Sequence, residues 1–249
     1  MELKQSSILV VDDEPFLREI MEGWLARVAG KVLGAENGVR ALEILAANKI
    51  DLIFSDIRMP VMDGIALLKK IKEMRVHTPE VIFLTGFSDV PLREAFDMGA
   101  EAVLEKPISR EQLLDIAKRA LTEPEELWRN PPSAALETKL EITFRSLTAA
   151  MKEKRIGFGR RGFCIDTAAG LHEGPVEFTM EFKDDRLVLS GQGVVRWTAP
   201  NEGKAGIEIT CLRDASRTWM IDHVKRNKPL AFIPGFVGHD SSLQDKVVA

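Results

Sequence analysis

Five short apolar runs alternate with segments of helical periodicity in the first half of the chain, and this alternation constrains the fold more than any other feature. The runs occupy residues 8–11, 32–36, 51–55, 81–85 and 102–105. The helical segments begin near Pro15, Gly38, Gly64, Val90 and Ser109. Such alternation predicts an open parallel sheet with helices on both faces. We therefore expect a doubly wound α/β domain over residues 1–121 with strand order 2-1-3-4-5.

Length, cysteine content and charge limit what the whole chain can be. With 249 residues and 45% hydrophobic composition, the chain can form two folded domains. Cys164 and Cys211 are too few for a disulfide-stabilised secreted fold, and no apolar run is long enough to span a membrane, so we expect a cytoplasmic protein. The formal net charge of −4 lies wholly within residues 1–121, and neither half is basic enough to predict DNA binding.

Polar residues follow the apolar runs at the points where the strands end. Asp12 and Asp13 follow the first run, Asp56 follows the third, Thr85 closes the fourth and Lys106 follows the fifth. In the expected strand order these positions meet at one edge of the sheet. Three converging carboxylates repel one another unless a cation lies between them. Mg²⁺ fits because it prefers oxygen ligands, no His or Cys is near for zinc, and the lysine supplies a mobile charge for a phosphoryl group.

Four motifs occur in order at these strand ends. They are Val11-Asp12-Asp13-Glu14-Pro15, Asp56-Ile57-Arg58-Met59-Pro60 followed by Asp63-Gly64, Thr85-Gly86, and Lys106-Pro107. Residues 5–121 therefore resemble the receiver domain of two-component response regulators, which has a flavodoxin-like fold. The resemblance implies a signalling protein and not an enzyme with a separate substrate, because its chemistry is confined to phosphorylation of Asp56 and hydrolysis of the product.

The resemblance also assigns roles within the acidic cluster. It implies that Asp56 accepts a phosphoryl group from a phosphohistidine on a sensor histidine kinase or a phosphotransfer protein. Asp13, Asp56 and the backbone carbonyl of Arg58 would hold Mg²⁺, and Asp12 would assist through a water molecule. A new charge of about −1.5 to −2 on one carboxylate would then favour the loop arrangement that supplies hydrogen-bond donors.

Thr85 and Lys106 would carry the switch. The resemblance implies that Thr85 turns its hydroxyl toward the phosphoryl oxygens while Lys106 pairs with them, so that the face formed by the fourth helix, fifth strand and fifth helix repacks. Receivers usually have Tyr or Phe three residues before this lysine, whereas this chain has Val103 and no tyrosine. Two routes of transmission stay open: a shift of the loop after Thr85 toward Phe87, and dimerisation alone.

Residues 122–154 are predicted to form a linker followed by a helix. Pro124, Pro131 and Pro132 interrupt helical structure and place a domain boundary within residues 122–133. From residue 133 to residue 154 a stripe recurs at spacings of four and three, at Leu136, Leu140, Thr143, Leu147 and Ala150. This stripe favours a homodimer formed by a coiled coil of residues 134–154, and the alternative is a helix docked on its own domains.

Residues 155–228 are predicted to form a small β domain, followed by a tail at 229–249. Val176, Phe178, Met180 and Phe182 alternate with polar residues, and about four strands precede a short helix that begins at Asp214. Four segments together resemble a PilZ-type β barrel, namely Arg161-Gly162-Phe163-Cys164-Ile165, the loop at Leu171 to Gly174, Gly193-Val194-Val195-Arg196-Trp197 and Ala205-Gly206-Ile207-Glu208-Ile209. The expected fold class is therefore α/β plus β.

PilZ domains typically sense cyclic di-GMP through an R-x-x-x-R segment and a D/N-x-S-x-x-G segment. The second segment would align with residues 157–162 and keeps only Gly162, and no arginine pair at the required spacing precedes it. We therefore favour a degenerate PilZ-like domain that contacts an unknown output protein. The alternative is a cyclic di-GMP receptor using Arg155, Arg160 and Arg161, a basic stretch that is equally well a solvated face. No helix-turn-helix, catalytic triad or phosphate loop follows residue 121.

Overall fold

The computed structural model describes residues 3–74, 79–86, 91–129, 136–166 and 170–235. The chain divides into two units, Met1–Leu127 and Trp128–Ala249. One five-stranded sheet lies in the first unit and one six-stranded sheet lies in the second.

The first unit is built on a parallel sheet of order β2-β1-β3-β4-β5, which confirms the predicted strand order. Its strands are β1 (Ser7–Val11), β2 (Lys31–Ala35), β3 (Leu52–Asp56), β4 (Glu80–Thr85) and β5 (Ala102–Glu105). Its helices are α1 (Pro15–Leu25), α2 (Gly38–Ala47), α3 (Gly64–Glu73), α4 (Leu92–Asp97), α5 (Arg110–Leu121) and α6 (Pro124–Leu127).

Alternate residues of the inner strands pack into two cores, one on each face of the sheet. Leu9, Ile53 and Phe83 are fully buried against residues of α2, α3 and α4. Phe54 and Leu84 are fully buried on the other face against residues of α1 and α5. Full burial of one such side chain contributes about 1.5–3 kcal/mol. Burial on both faces explains why these strands occur in the sequence as continuous apolar runs.

Side-chain caps set where the helices after β2, β3 and β5 begin. Asn37, Asp63 and Ser109 each accept a hydrogen bond from the backbone N–H three residues further on. Ser109 and Gln112 form a capping box at the start of α5, which ends at Leu121. Because each cap satisfies a backbone donor that the helix leaves free, it stabilises the helix by about 1 kcal/mol.

The second unit contains a six-stranded sheet of order β6-β9-β10-β11-β8-β7, which forms a half-barrel. Its strands are β6 (Lys139–Phe144), β7 (Ile156–Phe158), β8 (Gly162–Ile165), β9 (Gly174–Phe182), β10 (Leu187–Ala199) and β11 (Lys204–Leu212). Its helices are α7 (Leu147–Lys152) and α8 (Asp214–Asn227). All neighbouring strands are antiparallel except β6 and β9. Within residues 155–228 the described residues thus contain five strands, where about four were predicted, and β6 lies before that range.

The predicted helix over residues 134–154 is wrong. Within it, β6 pairs in parallel with β9, and the only helical part among the described residues is α7. Leu140 and Phe144 are buried, Lys139 and Glu141 are exposed, and Phe144 stacks on Phe182 at a centroid distance of 5.2 Å. Residues four apart share a face in a strand as well as in a helix, so the stripe did not separate the two structures. A coiled coil of this segment is therefore excluded as the dimer contact, and residues 130–135 lie outside the described residues.

The part of β11 nearest α8 contains a β-bulge. Gly193 of β10 pairs with Ile209, and Gln192 pairs with Cys211, so Thr210 has no partner on β10. A bulge of this kind bends the strand and interrupts the regular ladder of hydrogen bonds.

The first part of the predicted tail is packed. Phe232 and Ile233 are buried, and the backbone carbonyls of Ala231 and Phe232 accept hydrogen bonds from the backbone N–H groups of Arg160 and Arg161. The rest of that tail, residues 236–249, lies outside the described residues. None of the helices in the described part of the chain combines the length and the apolar character needed to cross a membrane.

Candidate functional site

The carboxyl edge of the first sheet gathers the polar residues that follow its strands. Asp12 and Asp13 come directly after β1, Asp56 ends β3, Thr85 ends β4 and Lys106 follows β5. Carboxylate oxygens of Asp12, Asp13 and Asp56 all lie within 4.8 Å of one another. Asp12, Asp56 and Thr85 are buried, whereas Asp13 is exposed. The geometry therefore brings the predicted acidic cluster into one pocket.

The ammonium group of Lys106 bridges two of these carboxylates. Its Nζ donates to Asp12 Oδ2 at 2.9 Å and to Asp56 Oδ2 at 2.7 Å. Burial by itself lowers the pKa of Lys106, but the hydrogen bonds to Asp56 and Asp12 and the attraction of both carboxylates outweigh burial and raise the pKa above its ordinary value. Lys106 therefore stays protonated and neutralises part of the negative charge of the cluster.

Backbone donors fix the other oxygen of each bridged carboxylate. Asp12 Oδ1 accepts from the backbone N–H of Glu14 at 2.9 Å, and Asp56 Oδ1 accepts from that of Arg58 at 3.3 Å. Arg18 of α1 donates from Nη1 to the backbone carbonyl of Asp12 at 2.6 Å. Sequence reasoning missed the role of Arg18, because nothing in its spacing indicates that the side chain turns back from α1 to the end of β1.

Close packing of the loop after β3 requires a glycine at position 64. A Cβ on Gly64 would lie 2.3 Å from the backbone carbonyl oxygen of Asp56. The Gly64 N–H donates to the carbonyl of Ile57 at 2.9 Å, and Asp63 caps α3 by accepting from the N–H of Ala66 at 2.7 Å. At Asp63 and Gly64 the backbone therefore turns back and packs directly against the end of β3.

The loop after β5 is tied to β4. The backbone N–H of Lys106 donates to the carbonyl of Thr85 at 2.7 Å. Val103, which replaces the usual aromatic residue, is partly buried and packs against the core on the α2–α3–α4 face of the sheet. Phe87, the other residue of the predicted transmission route, lies outside the described residues.

The donor set of the cluster suits a magnesium ion. Two oxygens bound to one Mg²⁺ at about 2.1 Å lie at most about 4.2 Å apart. A spread of up to 4.8 Å among Asp12, Asp13 and Asp56 is close to that limit and leaves room for a bridging water at one of them. Coordination by the backbone carbonyl of Arg58 stays a prediction.

An open pocket of about 570 Å³ adjoins the cluster. It is lined by Asp13, Ile57, Arg58, Met59, Pro60, Asp63 and Ile65. The pocket therefore opens beside Asp13, the exposed member of the acidic cluster.

The three arginines suggested for cyclic di-GMP are not brought together in the second unit. Arg155 precedes β7, whereas Arg160 and Arg161 lie in the turn after it, and the three-residue strand between them spans roughly 10 Å at about 3.3 Å per residue. Arg155 pairs with Asp166 at 3.4 Å and lies over the ring of Phe144. Arg160 donates to a backbone carbonyl, and Arg161 is buried.

Arg196, from the segment that resembles PilZ domains, is held in a cross-strand ion pair. Its Nε lies 2.7 Å from Oε2 of Glu208, whose side chain is 5% exposed. Burial lowers the pKa of Arg196. The pair therefore links β10 to β11 and has a structural role in this unit.

Comparison with known proteins assigns the first unit. Residues 8–118 match the family model described as "Response regulator receiver domain". These residues are the receiver domain of a response regulator. The receiver domain is 37% identical over 125 residues to "DNA-binding transcriptional regulator NtrC" of Escherichia coli (strain K12), a match that covers 50% of this chain and 26% of that relative.

Two further similarities concern the same receiver domain. It is 38% identical over 121 residues to "Positive alginate biosynthesis regulatory protein" of Pseudomonas aeruginosa, with 46% of each chain covered. A crystal structure of a response regulator receiver domain protein from Clostridium thermocellum is 31% identical, with 47% of this chain and 94% of that chain covered and a TM-score of 0.43. The chain thus spans about a quarter of the NtrC relative and less than half of the Pseudomonas relative.

Proposed function

We propose that the chain is a two-component response regulator whose receiver domain is phosphorylated on Asp56 by a sensor histidine kinase or a phosphotransfer protein. The observation that carries this proposal is the bridge from Lys106 Nζ to Asp56 at 2.7 Å and to Asp12 at 2.9 Å, beside the third carboxylate of Asp13. This arrangement holds one carboxylate next to a cation that can pair with an incoming phosphoryl oxygen.

Phosphoryl transfer to Asp56 is a displacement at phosphorus. A carboxylate oxygen of Asp56 forms the new bond, the bond from phosphorus to the donor imidazole nitrogen breaks, and that nitrogen takes a proton from solvent. The Arg58 N–H and the Lys106 ammonium hold Asp56 in one orientation before the transfer. Mg²⁺ held by Asp13, Asp56 and the carbonyl of Arg58 would supply positive charge for the oxygens of the transferred group.

The product changes the balance of charge around Lys106. Phosphorylation replaces the single carboxylate charge of Asp56 by the about −1.5 to −2 charges of a phosphoryl group. Lys106 then pairs with a phosphoryl oxygen in place of the free carboxylate. Thr85, whose backbone carbonyl accepts from the Lys106 N–H, would turn its hydroxyl toward the phosphoryl oxygens. The pocket therefore has two arrangements of donors, and phosphorylation favours one of them.

The second unit serves in this proposal as a PilZ-like output domain that acts by contact with another protein. Its half-barrel, its final helix α8 and the Val194-Val195-Arg196-Trp197 segment support this assignment. Arg155 and Arg160 already bind other groups, Arg161 is buried, and Arg155 lies apart from the other two. These facts favour contact with a protein over binding of cyclic di-GMP. Two further statements stay predictions: that the chain does not bind DNA, and that its only catalysis is its own phosphorylation and the hydrolysis of the product.

Labelling with a small phosphodonor tests the proposal for Asp56. With Mg²⁺ and acetyl phosphate, intact-protein mass spectrometry should show one added phosphoryl group that is stable in acid and labile in base. Asp56→Asn should remove the label, whereas Asp115→Asn, at an exposed position of α5, should keep it. Equal labelling of Asp56→Asn and the wild-type chain contradicts the assignment.

Calorimetry tests the preference for protein contact. Titration of cyclic di-GMP into the full chain should give no heat of binding at high micromolar ligand. A saturable heat that is lost in Arg155→Ala or Arg160→Ala would instead establish the second unit as a nucleotide receptor.

A further inference from the structure

Trp128, the first residue of the second unit, completes the hydrogen bonding of β11 where the neighbouring strand ends. Its indole Nε1 donates to the backbone carbonyl of Ile209 at 3.2 Å, and its own carbonyl accepts from the N–H of Leu212 at 3.1 Å. The N–H of Ile209 donates to the carbonyl of Arg161, just before β8 begins. Past the end of β8, Trp128 makes the hydrogen bonds to β11 that a neighbouring strand would otherwise make. These two hydrogen bonds are called the Trp128 anchor below.

The Trp128 anchor lies at a deformable part of the sheet. Its two partners on β11, Ile209 and Leu212, lie on either side of Thr210 and Cys211, and Thr210 is the bulge residue without a partner on β10. Trp128 is 1% exposed, so its side chain is fixed by packing as well as by hydrogen bonds. Bulged positions lack the regular ladder that resists displacement elsewhere in a sheet. A force on Trp128 therefore acts at one of the two irregularities in the pairing of β10 with β11.

The residues after β11 connect the Trp128 anchor to α8. Leu212 is followed by Arg213, whose N–H donates to the carbonyl of Ser190, and α8 begins at the next residue. Ser216 of α8 accepts a hydrogen bond from the N–H of Ser190 at 2.9 Å. A shift of Leu212 therefore reaches the first turn of α8 through adjoining hydrogen bonds.

On the receiver side, the chain leading to Trp128 is short and ordered. Six residues, 122–127, separate the end of α5 from Trp128, and α6 accounts for four of them. Thr122 bonds back to α5 through its side chain at 2.8 Å and its backbone at 3.2 Å, and Leu127 bonds to Glu123 at 3.1 Å. Residues 122–127, called the tether below, therefore have little slack to absorb a displacement of α5.

α5 packs directly on the strands that carry the acceptor site. Leu113 and Ala117 of α5 lie in one core with Phe54 of β3 and Leu84 of β4. Phe54 is two residues before Asp56, and Leu84 is one residue before Thr85. A rearrangement at the end of β3 or β4 therefore displaces α5 through these packed side chains.

From these contacts we propose that the Trp128 anchor is the point at which phosphorylation of the receiver domain acts on the second unit. The tether passes a displacement of α5 to β11 at its bulge, and from there to the start of α8. This inference rests on the proposed phosphorylation of Asp56. It gives a route for transmission of the switch in a chain that has Val103 in place of the usual aromatic residue.

Hydrogen exchange measured by mass spectrometry on the full chain tests the route. Acetyl phosphate with Mg²⁺ should change the exchange of receiver peptides and also of the peptide covering residues 205–213. Trp128→Phe keeps an aromatic ring and loses the indole donor, so exchange at β11 should rise about fivefold without phosphodonor. In this variant the phosphodonor should still change the receiver peptides but no longer change β11.

Two companion variants separate coupling from packing. Trp219→Phe, on α8 beside Phe158 and His223, removes an indole from the same unit away from the tether and should keep the response of β11. Insertion of four Gly and Ser residues after Thr122 should abolish that response while both units stay folded, because a flexible tether transmits no displacement.

The outcomes distinguish this inference from the function on which it rests. If Trp128→Phe and the insertion both respond at β11 as the wild-type chain does, the Trp128 anchor is not the route. If the wild-type receiver responds and β11 does not, the inference fails while phosphorylation of Asp56 stands. If Asp56 is not labelled at all, the proposed function fails and this inference fails with it.

Discussion

The Nζ of Lys106 lies 2.7 Å from Oδ2 of Asp56, although the two residues are 50 positions apart in the sequence. The same ammonium reaches Asp12, whose side chain is fully buried. Two carboxylates of the receiver site are thus held by one cation before any phosphoryl group arrives. Lys106 therefore links the stability of the receiver domain to the metal binding and phosphorylation proposed for this site.

Replacing Lys106 by methionine should lower the free energy of unfolding by about 1–3 kcal/mol in the absence of Mg²⁺. The substitution keeps the apolar stem but leaves Asp12 and Asp56 without their shared cation. Urea unfolding with and without Mg²⁺ measures the effect, and Mg²⁺ should restore more stability to the variant than to the wild-type chain. Lys118→Met, at an exposed position of α5, is the matched control. A variant as stable as wild type without Mg²⁺ would show that the bridge has no net stabilising effect.

Magnesium should stabilise the receiver domain through the acidic cluster. At ten times its dissociation constant a ligand that binds only the folded state contributes about 1.4 kcal/mol. Asp13→Asn removes an exposed carboxylate that makes no contact with Lys106 among the hydrogen bonds described above, so it should weaken the response to Mg²⁺ without weakening the fold. Thermal unfolding over a Mg²⁺ titration measures both effects, and Asp115→Asn serves as control. If Mg²⁺ raises the thermal unfolding midpoint of Asp13→Asn over the same range of concentrations as that of the wild-type chain, Asp13 is not a ligand.

Two glycines of the receiver domain should respond in opposite directions to alanine. Gly64→Ala places a Cβ 2.3 Å from the Asp56 carbonyl and should lower the free energy of unfolding by about 1–3 kcal/mol. Gly23 lies within α1 with no atom within 4 Å of an added Cβ, so Gly23→Ala should raise it by about 0.5–1 kcal/mol. Chemical unfolding of the two variants compares them directly. Equal effects would mean that the loop after β3 moves to accept the methyl group.

The second unit should lose stability in mild acid because of His223. Burial, assisted by the charge of Arg226, lowers the pKa of His223 below its ordinary value of about 6.5. The unfolded chain therefore binds a proton that the folded chain resists, and stability present above about pH 6.5 falls as the pH drops toward the lowered pKa. Phe158 and Trp219, whose ring centroids lie 5.1 and 4.8 Å from that of His223, offer no charge to offset protonation.

Glutamine variants isolate the contribution of His223. Glutamine does not titrate, so His223→Gln should flatten the dependence of unfolding on pH between 7.5 and 5.5, as followed by thermal denaturation. His172→Gln, at an exposed position, should leave that dependence as it is in the wild-type chain. The explanation fails if both variants keep the full dependence on pH.

The acidic pocket could be located from the sequence because topology controls where strand ends meet. In a parallel sheet the residues after β1 and β3 must lie side by side, so the positions of Asp12 and Asp56 followed once the strand order was expected. The contact of Arg18 with the Asp12 carbonyl could not be predicted, because it depends on the side-chain conformation within α1.

The second unit shows where local pattern is insufficient. Leu140 and Phe144 satisfy the spacing of a helix face and of a strand face alike, and the parallel pairing with β9 decides between them. Arg155 and Arg160 are close in sequence, yet the intervening strand β7 carries them to opposite ends of a hairpin. Neighbours in the chain are thus separated by the direction of the backbone.

Continuous apolar runs with polar ends were enough to determine the receiver sheet and its acidic edge, since burial on both faces and parallel pairing leave few other arrangements. Tertiary structure alone decided that residues 139–144 join a sheet and that Trp128 bonds to β11 beyond the end of β8. Both depend on hydrogen bonds to segments distant in the sequence, and no local pattern of residues specifies such partners.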